Sequence, residues 1–166
     1  FKGDTVNIGV GEGYISATPI QLAHYTAALA NKGTKKPLFL NNSLSGKMPS
    51  SEIELENFNQ RDWSLLHKAM ESVVESDYGT ARRIRDQKDF LIAAKTGTGE
   101  IISLDSREEY ERIREDQGLR DHAIIVAFAP AEKPKYAVSV IIENGESGGS
   151  VAGPVALRIL KELLKE

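Results

Sequence analysis

Phe90-Leu91-Ile92-Ala93-Ala94-Lys95-Thr96-Gly97-Thr98-Gly99 is an apolar run that gives way to a lysine, two threonines and two glycines. Its first half, residues 90–94, is predicted to be a strand, because it is apolar, short and followed by turn-forming residues. Two later runs, residues 123–129 and 136–142, have the same small or β-branched character. Pro130-Ala131-Glu132-Lys133-Pro134-Lys135 joins them over the length of a hairpin connection, so they are predicted to be antiparallel neighbours. Residues 123–129 are apolar at both alternating sets of positions, which implies a sheet covered on both faces. The expected fold is therefore α/β layered, with an antiparallel sheet flanked by helices.

Three segments can supply that cover. Thr18-Pro19-Ile20-Gln21 combines an N-cap, a proline at the first helical position and a capping-box glutamine, predicting a helix over 19–32 closed by Gly33. From Asn59 onward, Trp63, Leu66, Ala69, Met70 and Val73 recur at helical spacing, and this second helix should end before Gly79. A last helix over 154–165 carries Val155, Ile159, Leu160, Leu163 and Leu164 on one wide apolar face. Between these lie a glycine-rich stretch, residues 3–17, and a segment of loop or short-strand composition, residues 35–57.

Bulk properties exclude several classes. The chain has 166 residues, 40% of them hydrophobic, enough for a real core, and a net charge of −3. Acids and bases are interspersed, and no basic stripe alternates with aromatics, so a nucleic-acid surface is not expected. No apolar run is long enough to span a bilayer and no signal-peptide pattern opens the chain. With no cysteine, disulfides and thiolate metal sites are excluded. His24, His67 and His122 form no spaced ligand motif. His67 and Glu71 are four apart on a helix and are expected to be a surface pair rather than a metal site. His122 is expected to be a structural residue at a strand end. Gly11 and Gly13 lack the Gly-Lys-Ser/Thr that a phosphate loop needs. Phe1-Lys2-Gly3-Asp4 has no initiator Met, and the N-terminus is expected to be a boundary cut from a longer protein.

Lys95-Thr96-Gly97-Thr98 is the candidate site. A strand edge offers backbone N–H and C=O groups to an extended peptide, glycine lets a second backbone approach, and lysine and hydroxyls meet a carboxylate. The tripeptide Lys-Thr-Gly is weak evidence by itself, since on composition alone Lys95 reads as a solvated lysine. Its surroundings are more specific. Gly3-Asp4-Thr5-Val6-Asn7-Ile8-Gly9, Gly11-Glu12-Gly13-Tyr14 and Thr18-Pro19-Ile20-Gln21-Leu22-Ala23 resemble the segment after the second active-site motif of class B penicillin-binding proteins. Gly79-Thr80-Ala81-Arg82 resembles the turn before their Lys-Thr-Gly strand. Asp121-His122-Ala123, Ala127-Phe128-Ala129-Pro130 and Glu143-Asn144-Gly145 resemble parts of their next two strands. The resemblance runs in order along essentially the whole chain and is greatest for the elongation-type penicillin-binding protein 2 group.

That family also needs Ser-x-x-Lys, with the nucleophile, and Ser-x-Asn, and neither occurs in the chain. Ser103-Leu104-Asp105 imitates the latter but follows the Lys-Thr-Gly strand instead of preceding it. The resemblance therefore implies that residues 1–166 are the C-terminal portion of a transpeptidase domain, with both missing motifs upstream. It implies a D,D-transpeptidase that cross-links peptidoglycan by serine acyl transfer, is targeted by β-lactams and needs no cofactor. The fragment alone should be inactive. A β-lactamase or β-lactam-sensor domain and a non-catalytic cell-wall scaffold remain as alternatives.

By the same resemblance, Lys95 directs positive charge toward the substrate carboxylate, and the Thr96 and Thr98 hydroxyls bind it. Gly97 permits the approach, and the Thr98 backbone N–H supplies half of an oxyanion hole. The implied partners are stem peptides, β-lactams, a membrane glycan polymerase and other elongation proteins. The implied location is the periplasmic side of the bacterial inner membrane, with the anchor outside this chain. Residues 100–121 are a charged insertion. Ser106-Arg107-Glu108-Glu109 caps a short expected helix with a thin Tyr110/Ile113 contact, a candidate lid or partner-contact element or else a solvated extension without a role.

Overall fold

The computed structural model describes residues 5–6, 16–39, 51–52, 58–100 and 120–165. Residues 101–119, which hold nearly all of the charged insertion and its expected helix, lie outside the described residues, as do most of the glycine-rich stretch and of residues 35–57. In chain order the main elements are α1 (Pro19–Ala30), β1 (Thr34–Lys35), β2 (Ser51–Glu52), α2 (Gln60–Glu75), a 3-10 turn (Arg82–Gln87) and β3 (Ala93–Gly99). They continue with β4 (His122–Ala129), β5 (Tyr136–Ile142), a π-helical turn (Gly148–Ala152) and α3 (Gly153–Leu163). β1 and β2 form a two-residue antiparallel ladder, and β3-β4-β5 form an antiparallel sheet in that order. The expected α/β layering is what the chain adopts.

The capping box read at Thr18 is formed, and the structure adds a second at Asn59 that the sequence reading did not name. Thr18 accepts from the Gln21 N–H at 3.3 Å while its own N–H donates to Gln21 Oε1 at 2.8 Å. Asn59 and Asp62 do the same at the start of α2, at 3.4 and 2.7 Å. Each reciprocal pair satisfies amides that the first helical turn leaves without partners. The end of α1 falls at Ala30 rather than Lys32. Lys32 and Gly33 both take left-handed conformations, with φ of 51° and 90°, and the Gly33 N–H closes onto Ala28 O at 2.9 Å. The chain has already turned where the composition still looked helical.

The sheet is covered on both faces, as the double-sided apolarity of β4 requires. Across β3, β4 and β5, Ala94, Ala127 and Val138 stand in register, as do Ala93, Phe128 and Ala137. Alternation sends these two rows to opposite faces. The first row packs with Ala156, Leu157 and Leu160 of α3 and with Ile84 and Ile92. The second packs with Ala30 at the end of α1 and Met70 of α2. Phe128 is fully buried between strand and helices, a position where truncation to alanine costs about 3–5 kcal/mol.

The buried faces are rotated from those predicted. In α2 the buried residues are Trp63, His67, Met70 and Val74, while Ala69 is exposed and Leu66 and Val73 are half-buried. In α3 they are Gly153, Ala156, Leu157 and Leu160, spaced i, i+3, i+4, i+7, whereas Val155 and Ile159 face outward at about 40% exposure. The buried stripe thus sets the small Gly153 and Ala156 beside Leu157 and Leu160 against the sheet, although a β-carbon at Gly153 would meet only ordinary contacts at 3.7 Å and beyond. Side-chain size alone favoured the other. His67 is likewise not part of a surface pair: it is buried, its Nε2 lies 2.8 Å from Leu29 O, and its ring centroid is 5.0 Å from that of Phe128.

A further correction concerns β3. The strand runs over Ala93–Gly99 instead of residues 90–94, so Lys95 to Gly99 lie inside it, pairing one by one with Val126 to His122. Cross-strand hydrogen bonding sets these limits; the apolar residues 90–92 are core residues ahead of the ladder. No helix among the described residues is long and apolar enough to cross a membrane.

Candidate functional site

β3 is an edge strand: β4 occupies one side, and among the described residues no strand pairs with the other. Alternation along it puts Thr96 and Thr98 on the face covered by α3, and Lys95 and Gly97 on the opposite one. Lys95 and Thr98 are exposed, and Thr96 and Gly97 are half-buried. The four predicted residues are thus consecutive rungs of one accessible edge. Lys95 Nζ donates to Thr96 O at 2.5 Å, and among the described residues it pairs with no carboxylate. Lys95 lines a cleft of about 340 Å³ together with Ser72, Ser76, Tyr78 and Thr80.

The wall is braced where it meets α2. The Ala81 N–H donates to Val73 O at 2.9 Å and the Gly79 N–H to Ser76 O at 2.9 Å. The Arg82 guanidinium donates to Asp77 O at 2.8 Å. Arg85 donates to the Asp77 carboxylate at 2.7 Å and to Glu75 O at 3.0 Å, and the Arg85 hydrogen bond holds the Asp77 carboxyl below its ordinary pKa. Behind these, Lys88 Nζ lies 2.6 Å from Glu75 Oε1, with only 5% of the lysine side chain exposed. Ion pairs and backbone bonds together tie the end of α2 to the turn that precedes β3.

Two glycines complete the support from below. A β-carbon at Gly149 would overlap the Thr80 carbonyl oxygen, and one at Gly148 would overlap Ile124 O and crowd Gly97 O. The π-helical turn therefore packs its bare backbone directly under both the turn and the strand. Gly97 is different: a methyl group there would meet Ile124 Cβ at 3.5 Å, an ordinary contact. The fold itself does not demand glycine at position 97.

One side chain of the site was missed by sequence reasoning. Thr80 Oγ1 lies 2.7 Å from Thr96 Oγ1, bringing a turn residue onto the candidate strand. The signal was present in Gly79-Thr80-Ala81-Arg82, which marked a turn but assigned the threonine no role. His122 keeps to the structural part expected of it, its Nδ1 accepting from the Asn144 N–H at 3.1 Å. Among the described residues no group of three or more His, Asp and Glu side chains could hold a metal ion.

Comparison with known proteins places this geometry in a lineage. The penicillin-binding protein transpeptidase domain family matches residues 1–161. The chain belongs to that family. This transpeptidase-family chain is 36% identical over 170 residues to the peptidoglycan D,D-transpeptidase MrdA of Salmonella typhimurium, covering 98% of the chain and 27% of the relative. It is 38% identical to MrdA of Acinetobacter baumannii, over 92% of the chain and 23% of that protein. It thus spans about a quarter of the length of the curated relatives it matches. Among solved structures it superposes on Pseudomonas aeruginosa PBP2 in complex with WCK 5153, with a TM-score of 0.76 and 35% identity over all of the chain and 34% of that structure. Helicobacter pylori PBP2, in its complex with MreC, gives a TM-score of 0.78 and 30% identity over 98% of the chain and 28% of the structure.

Proposed function

We propose that these 166 residues are the C-terminal portion of the transpeptidase domain of a peptidoglycan D,D-transpeptidase of the penicillin-binding protein 2 group. The observation that carries the reading is an open β3 edge on which Lys95, Thr96, Gly97 and Thr98 are consecutive, with a lysine that has no carboxylate partner among the described residues. In this mechanism a serine on a segment outside this chain attacks the penultimate D-Ala carbonyl of a stem peptide. The carbon–nitrogen bond breaks, the departing D-Ala takes up a proton, and the acyl group passes from the serine oxygen to an amine of a neighbouring stem.

Each residue of the strand has a part in that chemistry. The donor peptide lies along the open edge as an added strand. Lys95 and the hydroxyls of Thr96 and Thr98 bind its carboxylate, and the lysine tunes proton transfer at the serine. Gly97, which the fold does not need, leaves room for the donor backbone. The Thr98 N–H and the serine's own N–H hold the oxyanion of the tetrahedral intermediate. Support for an outward Thr98 N–H comes from Thr96 O, which accepts from Lys95 Nζ; residues two apart on an antiparallel strand direct their N–H and C=O groups to the same side. β-Lactams follow the same route and stop at the acyl-enzyme.

The intact protein is placed on the periplasmic side of the bacterial inner membrane, held by an anchor outside this chain, with residues 100–121 as an insertion in the domain. Its partners are a glycan polymerase and other elongation proteins, by analogy with Helicobacter pylori PBP2, whose complex contains MreC. The decisive experiment incubates the purified full-length protein with a fluorescent penicillin. A covalent, heat-stable label that disappears when the upstream serine is replaced is the expected result, and an unlabelled protein overturns the reading.

A further inference from the structure

The hydroxyl oxygens of Thr80 and Thr96 are 2.7 Å apart, although the residues are 16 apart in sequence and belong to different elements. A threonine hydroxyl has one proton to give and two lone pairs to receive. In this pair one proton is therefore spent internally and one is left over. If Thr96 donates to Thr80, it has nothing to offer an anion. If Thr80 donates to Thr96, the Thr96 proton is free, and the bond it receives strengthens the one it makes.

We propose that Thr80 is a positioning residue that donates to Thr96 and so directs the Thr96 proton at the carboxylate of the bound donor. An anion above β3 selects this direction of the pair, because only the Thr80→Thr96 sense satisfies all three oxygens in line.

The backbone makes the arrangement stable. Ala81, the residue after Thr80, is fully buried and its N–H is held by Val73 O. The Thr80 carbonyl rests against Gly149 without room for a side chain, and Thr96 is paired across the sheet with Ile125. Neither oxygen can drift far from the other while these contacts persist, so the Thr96 rotor is oriented before the substrate arrives.

The proposal rests on the transpeptidase reading, and its test separates the two. The full-length protein and its Thr80→Ser, Thr80→Val, Thr96→Val and double Thr80→Val/Thr96→Val forms are acylated with penicillin G, and the second-order rates are compared. Thr80→Ser keeps the hydroxyl and should stay within about twofold of the parent, while Thr80→Val should be about tenfold slower, the size expected for a lost hydrogen bond to an ionic acceptor chain. In the Thr96→Val background, adding Thr80→Val should change the rate by less than about twofold. Thr80→Ala gives the same reading should the valine form fold poorly. A valine variant that acylates at the parent rate overturns the proposal, as does one that slows the Thr96→Val protein as much as it slows the parent. If the unmodified full-length protein forms no adduct at all, the transpeptidase reading itself fails, and with it this role for Thr80.

Discussion

Gly149 lies against the carbonyl oxygen of Thr80 so closely that a β-carbon at position 149 would overlap it. The turn that precedes the candidate strand is thus seated on the backbone of the π-helical turn. Replacing Gly149 with alanine must push one of them away. Overpacking of this kind costs about 1–3 kcal/mol, and acylation should fall with it because Thr80 moves. Gly97→Ala provides the contrast. It meets only an ordinary contact, so thermal stability of the full-length protein should hold, while acylation drops about tenfold because the donor backbone is kept off the edge. Parallel melting curves and labelling rates test the pair; equal effects at both positions would refute the distinction.

Lys95→Ala in the full-length protein should leave the melting temperature within a few degrees, since the side chain is exposed and touches no carboxylate among the described residues. Acylation should fall by roughly two to three decades, the scale of losing a charged contact beside the reacting centre. A loss below about threefold would reduce Lys95 to a surface lysine.

The 166-residue chain by itself should form no covalent adduct with a fluorescent penicillin, because it contains no Ser-x-x-Lys. Denaturing gels after incubation read this directly. A heat-resistant labelled band would mean that another residue of the chain is acylated.

The Arg85 hydrogen bond lowers the Asp77 pKa from its ordinary 3.8. A carboxyl depressed in the folded state adds stability that is fully present above its unfolded pKa and is lost as the pH falls through the lower folded value. The clamp on the Gly79–Thr80 turn should therefore be intact at neutral pH and persist below pH 3.8. Carboxyl NMR titration of the parent protein tests this: a midpoint for Asp77 at or above the ordinary value would contradict it. Asp77 is well exposed and Arg85 half-buried, so high salt should weaken the effect.

Much of this architecture could be read from the chain. The cap at Thr18 was legible because its hydrogen bonds are local, closing within three residues; the equally local one at Asn59 went unread because the apolar spacing drew the attention there. β4 and β5 were legible because apolar runs and a hairpin connection coincide. The β3 limits were not, since pairing of Lys95–Gly99 with β4 is a long-range matter that residue polarity does not report. The stripes of α2 and α3 were misread for a related reason: Val155 and Ile159 look like core residues, yet the stripe that meets the sheet is Gly153, Ala156, Leu157 and Leu160, which side-chain size does not single out. In the site, the consecutive Lys95 to Thr98 were visible as a motif. Thr80 was not visible as a member, because only the folded chain brings its hydroxyl to Thr96.

The edge of β3 that no described strand occupies also bears on how this protein avoids itself. A strand with one side vacant can be completed by any extended chain, including the same strand of a second copy. Antiparallel docking of two such edges about Lys95 would bring the two ammonium groups together across the new ladder, without a carboxylate among the described residues of the site to offset them. On the proposed reading, the charge that meets a carboxylate-bearing peptide also opposes the pairing of two β3 edges, since like charges set opposite one another destabilise a ladder, and a neutral residue at position 95 would remove that repulsion.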